Sequence, residues 1–396
     1  MSIMGLGRPA PPPARPASRA TLLVGVLLLA SALELADVRG GGAAAALSAT
    51  LGLSSAAASA SASSSLESFP LPPGATPRLN WFAVALDGAG KEGYERFLVP
   101  YAAYSLHAQR WSVAELVVAN REAFEAEHAP ALRVLRRVFP GRLLVREPAA
   151  ASQLLAARLA QGGWRAMVRF VEAPVMRANV TLIGDIDILT LTAPGEDVAA
   201  EHLAHMRAFS PPLPYSNVLR PHKTNHRGKN NVRFNNPRWR HVTGRLHAVE
   251  TEAYYGAPEW AEALQWFTAP EAEGDPERED MLIDEVALQN LCRRAFGLPE
   301  RDNLAPEVMA DASAAKRALE WTPVRGVHLS PSRGQGKAML IVASCAHCRA
   351  AASVASLAWF RELRAASPAL AAAQAQLAEL CSCCSPGAPD EQECKM

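Results

Sequence analysis

The stretch NVTLIGDIDILTL, residues 179–191, decides how the rest of the chain is read. Apolar residues flank Asp185 and Asp187 on both sides, which predicts a buried β-strand. In an extended strand, positions i and i+2 face one side, so the two carboxylates project together while Ile186 and Ile188 point the other way. Like charges held side by side are costly unless a cation neutralises them. A hard divalent ion, Mn2+ or Mg2+, accepts carboxylate oxygens and can bind diphosphate oxygens on its free side. The alternative is a pair of solvated aspartates in a turn at the strand's end.

Working outward, strands and helices alternate. LNWFAVAL (79–86) reads as a first strand, closed by Asp87, Gly88 and Gly90. Helical spacing follows over 93–109, a second strand over 114–120, a helix over 122–139 and a third strand over 142–147. Helices are expected over 152–161 and 164–178, the latter broken near Pro174, before the fourth strand at 179–191. Such alternation predicts an α/β fold, a Rossmann-like sandwich with a mixed, mostly parallel sheet, whose ligands sit beyond the strands' carboxyl ends. No Walker loop follows the first strand, so P-loop chemistry lacks support.

Forty basic residues against 39 acidic ones leave a net charge of +1, spread along all 396 residues. That balance provides no field to collect nucleic acid, and no nucleic-acid partner is expected. Arg8, Arg15 and Arg19 precede the apolar run TLLVGVLLLASAL (21–33), and no acid appears before Glu34. Residues 1–38 therefore read as a signal peptide or an N-terminal membrane anchor, with an organellar transit peptide as the alternative. The Gly-, Ala-, Ser- and Pro-rich segment 39–77 reads as a stem. This layout is that of a Golgi type II membrane protein, with secreted or organellar protein as the other outcomes. A folded body over 78–336 and an Ala- and Cys-rich tail over 337–396, expected to pack poorly, complete the division. Of seven cysteines, Cys292 reads as a core thiol, and Cys345, Cys348, Cys381, Cys383, Cys384 and Cys394 favour local disulfides over a zinc site. An odd count leaves at least one thiol unpaired.

The segment RFVEAPVMRANVTLIGDIDILTL (169–191) resembles the metal-binding region of GT-A glycosyltransferases and is similar to that of their family 8 group. There an arginine on a helix, a proline break, an apolar strand and a DxD occur in that order. The resemblance is specific here and architectural over the remainder of 79–335. It implies a nucleotide-sugar donor (UDP- or GDP-sugar), a divalent metal, and transfer of the sugar to a hydroxyl of a glycan, protein or lipid acceptor. Asp187 would ligate the metal, and Asp185 would share it or bind the donor's ribose. Arg169 would sit near the nucleotide, unless it pairs with Glu172 on the helix surface. His328, in GVHLSPSR (326–333), matches the late metal-ligating histidine of such enzymes, and Arg333 or Lys337 would counter phosphate charge.

Asp284 and Glu285 open an expected helix over 284–296. They are candidates for a carboxylate at the reacting sugar, or simply an N-terminal cap. The Asn- and Arg-rich segment 216–245 reads as a long loop, and 213–222 with 245–255 resemble the regions downstream of the DxD that shape acceptor pockets in such enzymes. His247 fits core or pocket equally. The sequon Asn179–Thr181 opens a strand expected to be buried, which predicts little glycosylation. Two other readings compete: an inactive lumenal protein of the same fold, or a sugar-nucleotide nucleotidyltransferase. The latter would need a longer, more basic loop than DGAGKEG (87–93).

Overall fold

The computed structural model describes residues 68–86, 95–150, 152–153, 167–221, 240–268, 284–321, 326–329, 339–341, 344–384 and 389. The strands are β1 (Leu79–Ala85), β2 (Ser112–Val118), β3 (Leu143–Arg146), β4 (Val180–Gly184), β5 (Ile188–Thr190), β6 (Tyr215–Pro221), β7 (Arg240–Glu250), β8 (Gly326–His328) and β9 (Met339–Ile341). The first five helices are α1 (Leu98–Ala108), α2 (Arg121–Glu127), α3 (Ala129–Val138), α4 (Val168–Val171) and α5 (Val198–Met206). There follow α6 (Thr251–Tyr255), α7 (Pro258–Thr268), α8 (Asp284–Phe296), α9 (Pro306–Met309) and α10 (Ala312–Leu319). The last three are α11 (Cys345–Ser356), α12 (Ala358–Ala366) and α13 (Pro368–Leu380).

The strands form a six-stranded sheet ordered β3-β2-β1-β4-β7-β6 and a three-stranded sheet ordered β5-β8-β9. β1 runs parallel to both β2 and β4, and β2 parallel to β3, whereas β7 is antiparallel to β4 and β6. The fold is thus α/β with a mixed, mostly parallel sheet. Strand order reverses at β1, since β2 and β3 lie on one side of it and β4 on the other. In open α/β sheets ligands bind beyond the carboxyl ends of the strands at such a reversal, here those of β1 and β4.

Both faces of the large sheet are covered, which is why its strands read as continuous apolar runs. Side-chain alternation sends Trp81, Val180 and Leu182 into a core shared with α1, α3 and α13. Phe82, Ile183 and Val249 enter a second core with α4, α7 and α8.

Several expectations change. The strand foreseen over 179–191 is two strands in different sheets: Ile188 N–H bonds back to Asp185 C=O at 3.0 Å, turning the chain between β4 and β5. The helix foreseen over 164–178 reduces to α4 among the described residues, because the buried Glu115 carboxylate accepts the Val175 and Met176 N–H groups (3.0 and 2.8 Å) and holds that segment out of a helix. The long loop foreseen over 216–245 contains strand backbone at both ends, β6 and most of β7, with 222–239 outside the described residues. The stretch after Lys337 does pack: Trp359, Phe360, Leu363, Leu370 and Leu377 of α12 and α13 are core residues.

Cys345–Cys384 and Cys348–Cys381 are disulfides, and Cys292 is a buried free thiol. In the sequon Asn179 is exposed, but Thr181 is fully buried and shares a 2.9 Å hydrogen bond with Thr251.

Candidate functional site

The turn after β4 carries the two aspartates out of the sheet, past the carboxyl end of the strand that pairs with β1. Asp187 C=O accepts the Leu329 N–H at 2.7 Å, extending the pairing of β5 with β8, in which Ile188 lies opposite His328. This register delivers His328 to Asp187 across a separation of 141 residues: His328 Nε2 lies 3.1 Å from Asp187 Oδ2. The remaining polar atoms of the pair, Asp187 Oδ1 and His328 Nδ1, are buried without a hydrogen-bond partner among the described residues. A buried carboxylate oxygen left unpaired is costly, so these atoms suit an additional ligand.

Asp185 is engaged differently. Its carboxylate is bonded by the Arg169 guanidinium, which projects from α4 and is nearly buried. The alternative pairing of Arg169 with Glu172 does not occur. Glu172 instead accepts from Arg146 Nη1 (2.5 Å) and the Ala149 N–H (3.2 Å), and Arg146 Nε reaches Glu115 Oε1 at 2.6 Å. That buried cluster fixes the segment between α4 and β4, and so sets where Arg169 stands.

Asp185 and Asp187 thus face different neighbours, whereas a single strand would have aimed them together. Among the described residues no group of three His, Cys, Asp or Glu side chains gathers as a metal site. Asp187 and His328 are compatible with Mn2+ or Mg2+ as a two-residue anchor, since such ions commonly complete their shell with substrate phosphates and water. Asp185, neutralised by Arg169, is positioned beside that anchor rather than in it.

The turn has two further neighbours, of which only Tyr101 was not expected from the sequence. A Cβ built on Gly184 would lie 3.4 Å from the Tyr101 hydroxyl, placing this α1 residue under the turn. Burial, then the Asp185 charge, push the Tyr101 phenol well up, and its hydroxyl has no hydrogen-bond partner among the described residues. Tyr101 sits within the apolar run LVPYAAYSL, where a phenol needing a partner was the available signal.

The second neighbour is the network around His247. This side chain is fully buried opposite Ile183 of β4, which assigns it to the core and not to a pocket. Asn217 Nδ2 donates to its Nδ1 (3.0 Å), leaving Nε2–H to donate to the Tyr254 hydroxyl (3.2 Å). Burial and then the Arg169 charge hold the imidazole down to about 3, so it stays neutral.

Asp284 and Glu285 do open α8, but their side chains, like all of Arg333 and Lys337, lie outside the described residues. No protein-family model and no curated protein matches the sequence. What supports a function is therefore the chemistry of the turn itself: an Asp–His pair with open valences, a guanidinium–carboxylate pair beside it, and a place at the carboxyl ends of the strands where their order reverses.

Proposed function

We propose that the chain is a metal-dependent glycosyltransferase of the GT-A type, moving a sugar from a nucleotide-diphosphate donor to an acceptor hydroxyl. The observation that carries this reading is the Asp187–His328 pair, 3.1 Å apart, with Asp187 Oδ1 and His328 Nδ1 buried and unsatisfied. Asp187 and His328 would hold Mn2+ or Mg2+, which when bound supplies charge neutralisation for the leaving diphosphate. Arg169 fixes the orientation of Asp185, and its planar fork suits phosphate or ribose oxygens. Tyr101 and Gly184 bring the phenol close under the turn, and the Glu115–Arg146–Glu172 cluster supports it from the other side. Such preorganised charge acts on the developing diphosphate without reorganisation at the moment of transfer.

The acceptor is a glycan, protein or lipid hydroxyl, and the donor a UDP- or GDP-sugar. Two disulfides among the described residues suit an oxidising compartment, consistent with the leader-and-stem N-terminus and a secretory-pathway, Golgi-type residence. No helix among the described residues is long and apolar enough to cross a membrane, and residues 1–67 lie outside them.

The test is release of UDP or GDP from a panel of nucleotide sugars with and without Mn2+. Asp187→Ala and His328→Ala should each lower the rate at least about 100-fold, the scale expected when transition-state charge stabilisation is removed. Turnover that survives Asp187→Ala, or that ignores chelation, sinks the proposal.

A further inference from the structure

A cavity of about 1080 Å3 opens at the opposite end of the sheet, where Arg78, Trp111 and Arg142 immediately precede β1, β2 and β3. None of Arg169, Asp185, Asp187 or His328 lines it. We infer that this cavity binds an acidic sugar, a pyranose bearing a carboxylate or a sulfate, as a site separate from the Asp187 turn. The inference does not depend on the sugar-transfer proposal.

Three observations carry it. The first is Trp111, a cavity-lining residue 42% exposed, whose backbone sits at φ 63° in the left-handed region. A bulky residue there is strained, and strain of this kind persists mainly where the side chain's placement matters. An exposed indole offers a flat apolar face of the sort that sugar C–H faces stack on.

The second observation is the opposite wall. Helix α11 turns Ala346, Arg349, Ala350 and Ser353 towards the cavity, a helical spacing in which small side chains leave room and one guanidinium reaches in. The wall is fixed rigidly. Cys345 and Cys348 are disulfide-bonded, and His347 Nε2 lies 3.0 Å from Glu196 Oε2.

The third is charge. Four arginines line the cavity (Arg78, Arg110, Arg142 and Arg349) against two carboxylates, Glu196 and Asp197. Both carboxylates are already occupied. Glu196 accepts the Ala193 N–H at 2.8 Å besides facing His347, and Asp197 pairs with Arg78 at 2.7 Å while capping α5 through the Ala200 N–H. Arg142 is 3% exposed and donates to the carbonyls of Ser112, Phe69, Leu106 and Gln109, with no carboxylate among its partners. No carboxylate among the described residues offsets its charge, and burial first, then this charge, keep His107 below its ordinary range. Arg110 and Arg142, which pair with no carboxylate among the described residues, favour an anion, and Thr190 and Ser353 add hydroxyl groups suited to a hydroxyl-rich ligand.

The test is isothermal titration of the full chain with three hexasaccharides: one carrying uronic acids, one carrying sulfate esters, and a neutral one. The expected result is saturable binding of at least one acidic probe, weakened by salt and at least about tenfold tighter than the neutral probe. Which acidic probe binds identifies the anionic group. Trp111→Asn removes the indole while tolerating left-handed backbone, so its thermal midpoint should hold or rise as binding weakens by about tenfold. Arg110→Ala should weaken the acidic probe and leave the neutral one unchanged. Equal affinity for neutral and acidic probes, absence of saturable binding to all three, or full-strength binding by a stable Trp111→Asn variant overturns the inference.

Discussion

Glu115 stands in the middle of β2 with no exposure to solvent, and four groups satisfy its carboxylate. Arg146 Nε (2.6 Å), Asn80 Nδ2 (3.2 Å) and the Val175 and Met176 N–H groups (3.0 and 2.8 Å) all donate to it. A buried pair of this kind gives little net stability over an apolar substitute, yet breaking it strands a charge. Glu115→Gln leaves Arg146 with Glu172 as its remaining carboxylate, and should cost about 3 kcal/mol, the low end for a broken buried pair. Urea unfolding checks this; a loss below about 1 kcal/mol, the range of exposed pairs, means that the cluster is solvated. Tyr101 gives the opposite prediction. Its buried hydroxyl has no partner among the described residues, so Tyr101→Phe should leave stability unchanged or raise it by about 1 kcal/mol. A loss of stability in that variant means the hydroxyl has a partner in solution. Any effect of the same variant on nucleotide release then reports on the Asp185 turn rather than on folding.

At the scale of elements, what the sequence revealed depended on how local the determinant was. Strands β1 to β3 and helices α1 and α8 follow from apolar runs and period, because neighbours in sequence specify them. The break between β4 and β5 was not legible. Ile186 and Ile188 continue the apolar pattern through the turn, and only the distant strand β8 draws β5 into a second sheet. For the same reason Asp187 and His328 were each recognisable, but the Arg169–Asp185 pair was not, since it depends on the Glu115 cluster that stops α4. The C-terminal helices were misjudged because Ala-rich sequence looks weakly apolar, while their few large residues and two cross-links supply the packing. Those cross-links are nested, Cys348–Cys381 lying inside Cys345–Cys384, over separations of 33 and 39 residues. With one bond in place the other closes only a short ring, so Cys→Ser replacement of either pair should cost roughly 2–3 kcal/mol and replacement of both about 6. Thermal unfolding of the two single-pair variants and the double variant tests this; strictly additive losses matching two independent long loops contradict the nesting argument.

Over the molecule as a whole, three neutral histidines are enclosed around β6 and β7. His202 and His247 are fully buried and His205 nearly so. His205 Nε2–H donates to the Ala318 carbonyl at 3.2 Å, so its Nδ1 accepts from the Ser216 hydroxyl at 3.0 Å. The Ser216 oxygen then accepts from His202 Nδ1–H at 3.0 Å, and all three groups are consistent without a proton to spare. Burial leads the causes that lower His202 to about 3, His205 to about 4 and His247 to about 3, against an ordinary value of 6.5. The unfolded chain takes up protons as pH falls through 6.5, and the folded protein does not until pH approaches 4. The unfolded state therefore binds more protons in that window, and stability must decline as pH falls. Each group contributes about 1.4 kcal/mol per pH unit well below 6.5, so the three together give a slope of about 4. The slope flattens once the folded-state values are reached. Urea midpoints at pH 7, 6 and 5 should fall progressively, and His205→Gln should remove about a third of the slope while lowering stability at pH 7. A stability that stays level between pH 7 and pH 5 means that these imidazoles take up protons inside the fold, and that the core around β6 and β7 admits water.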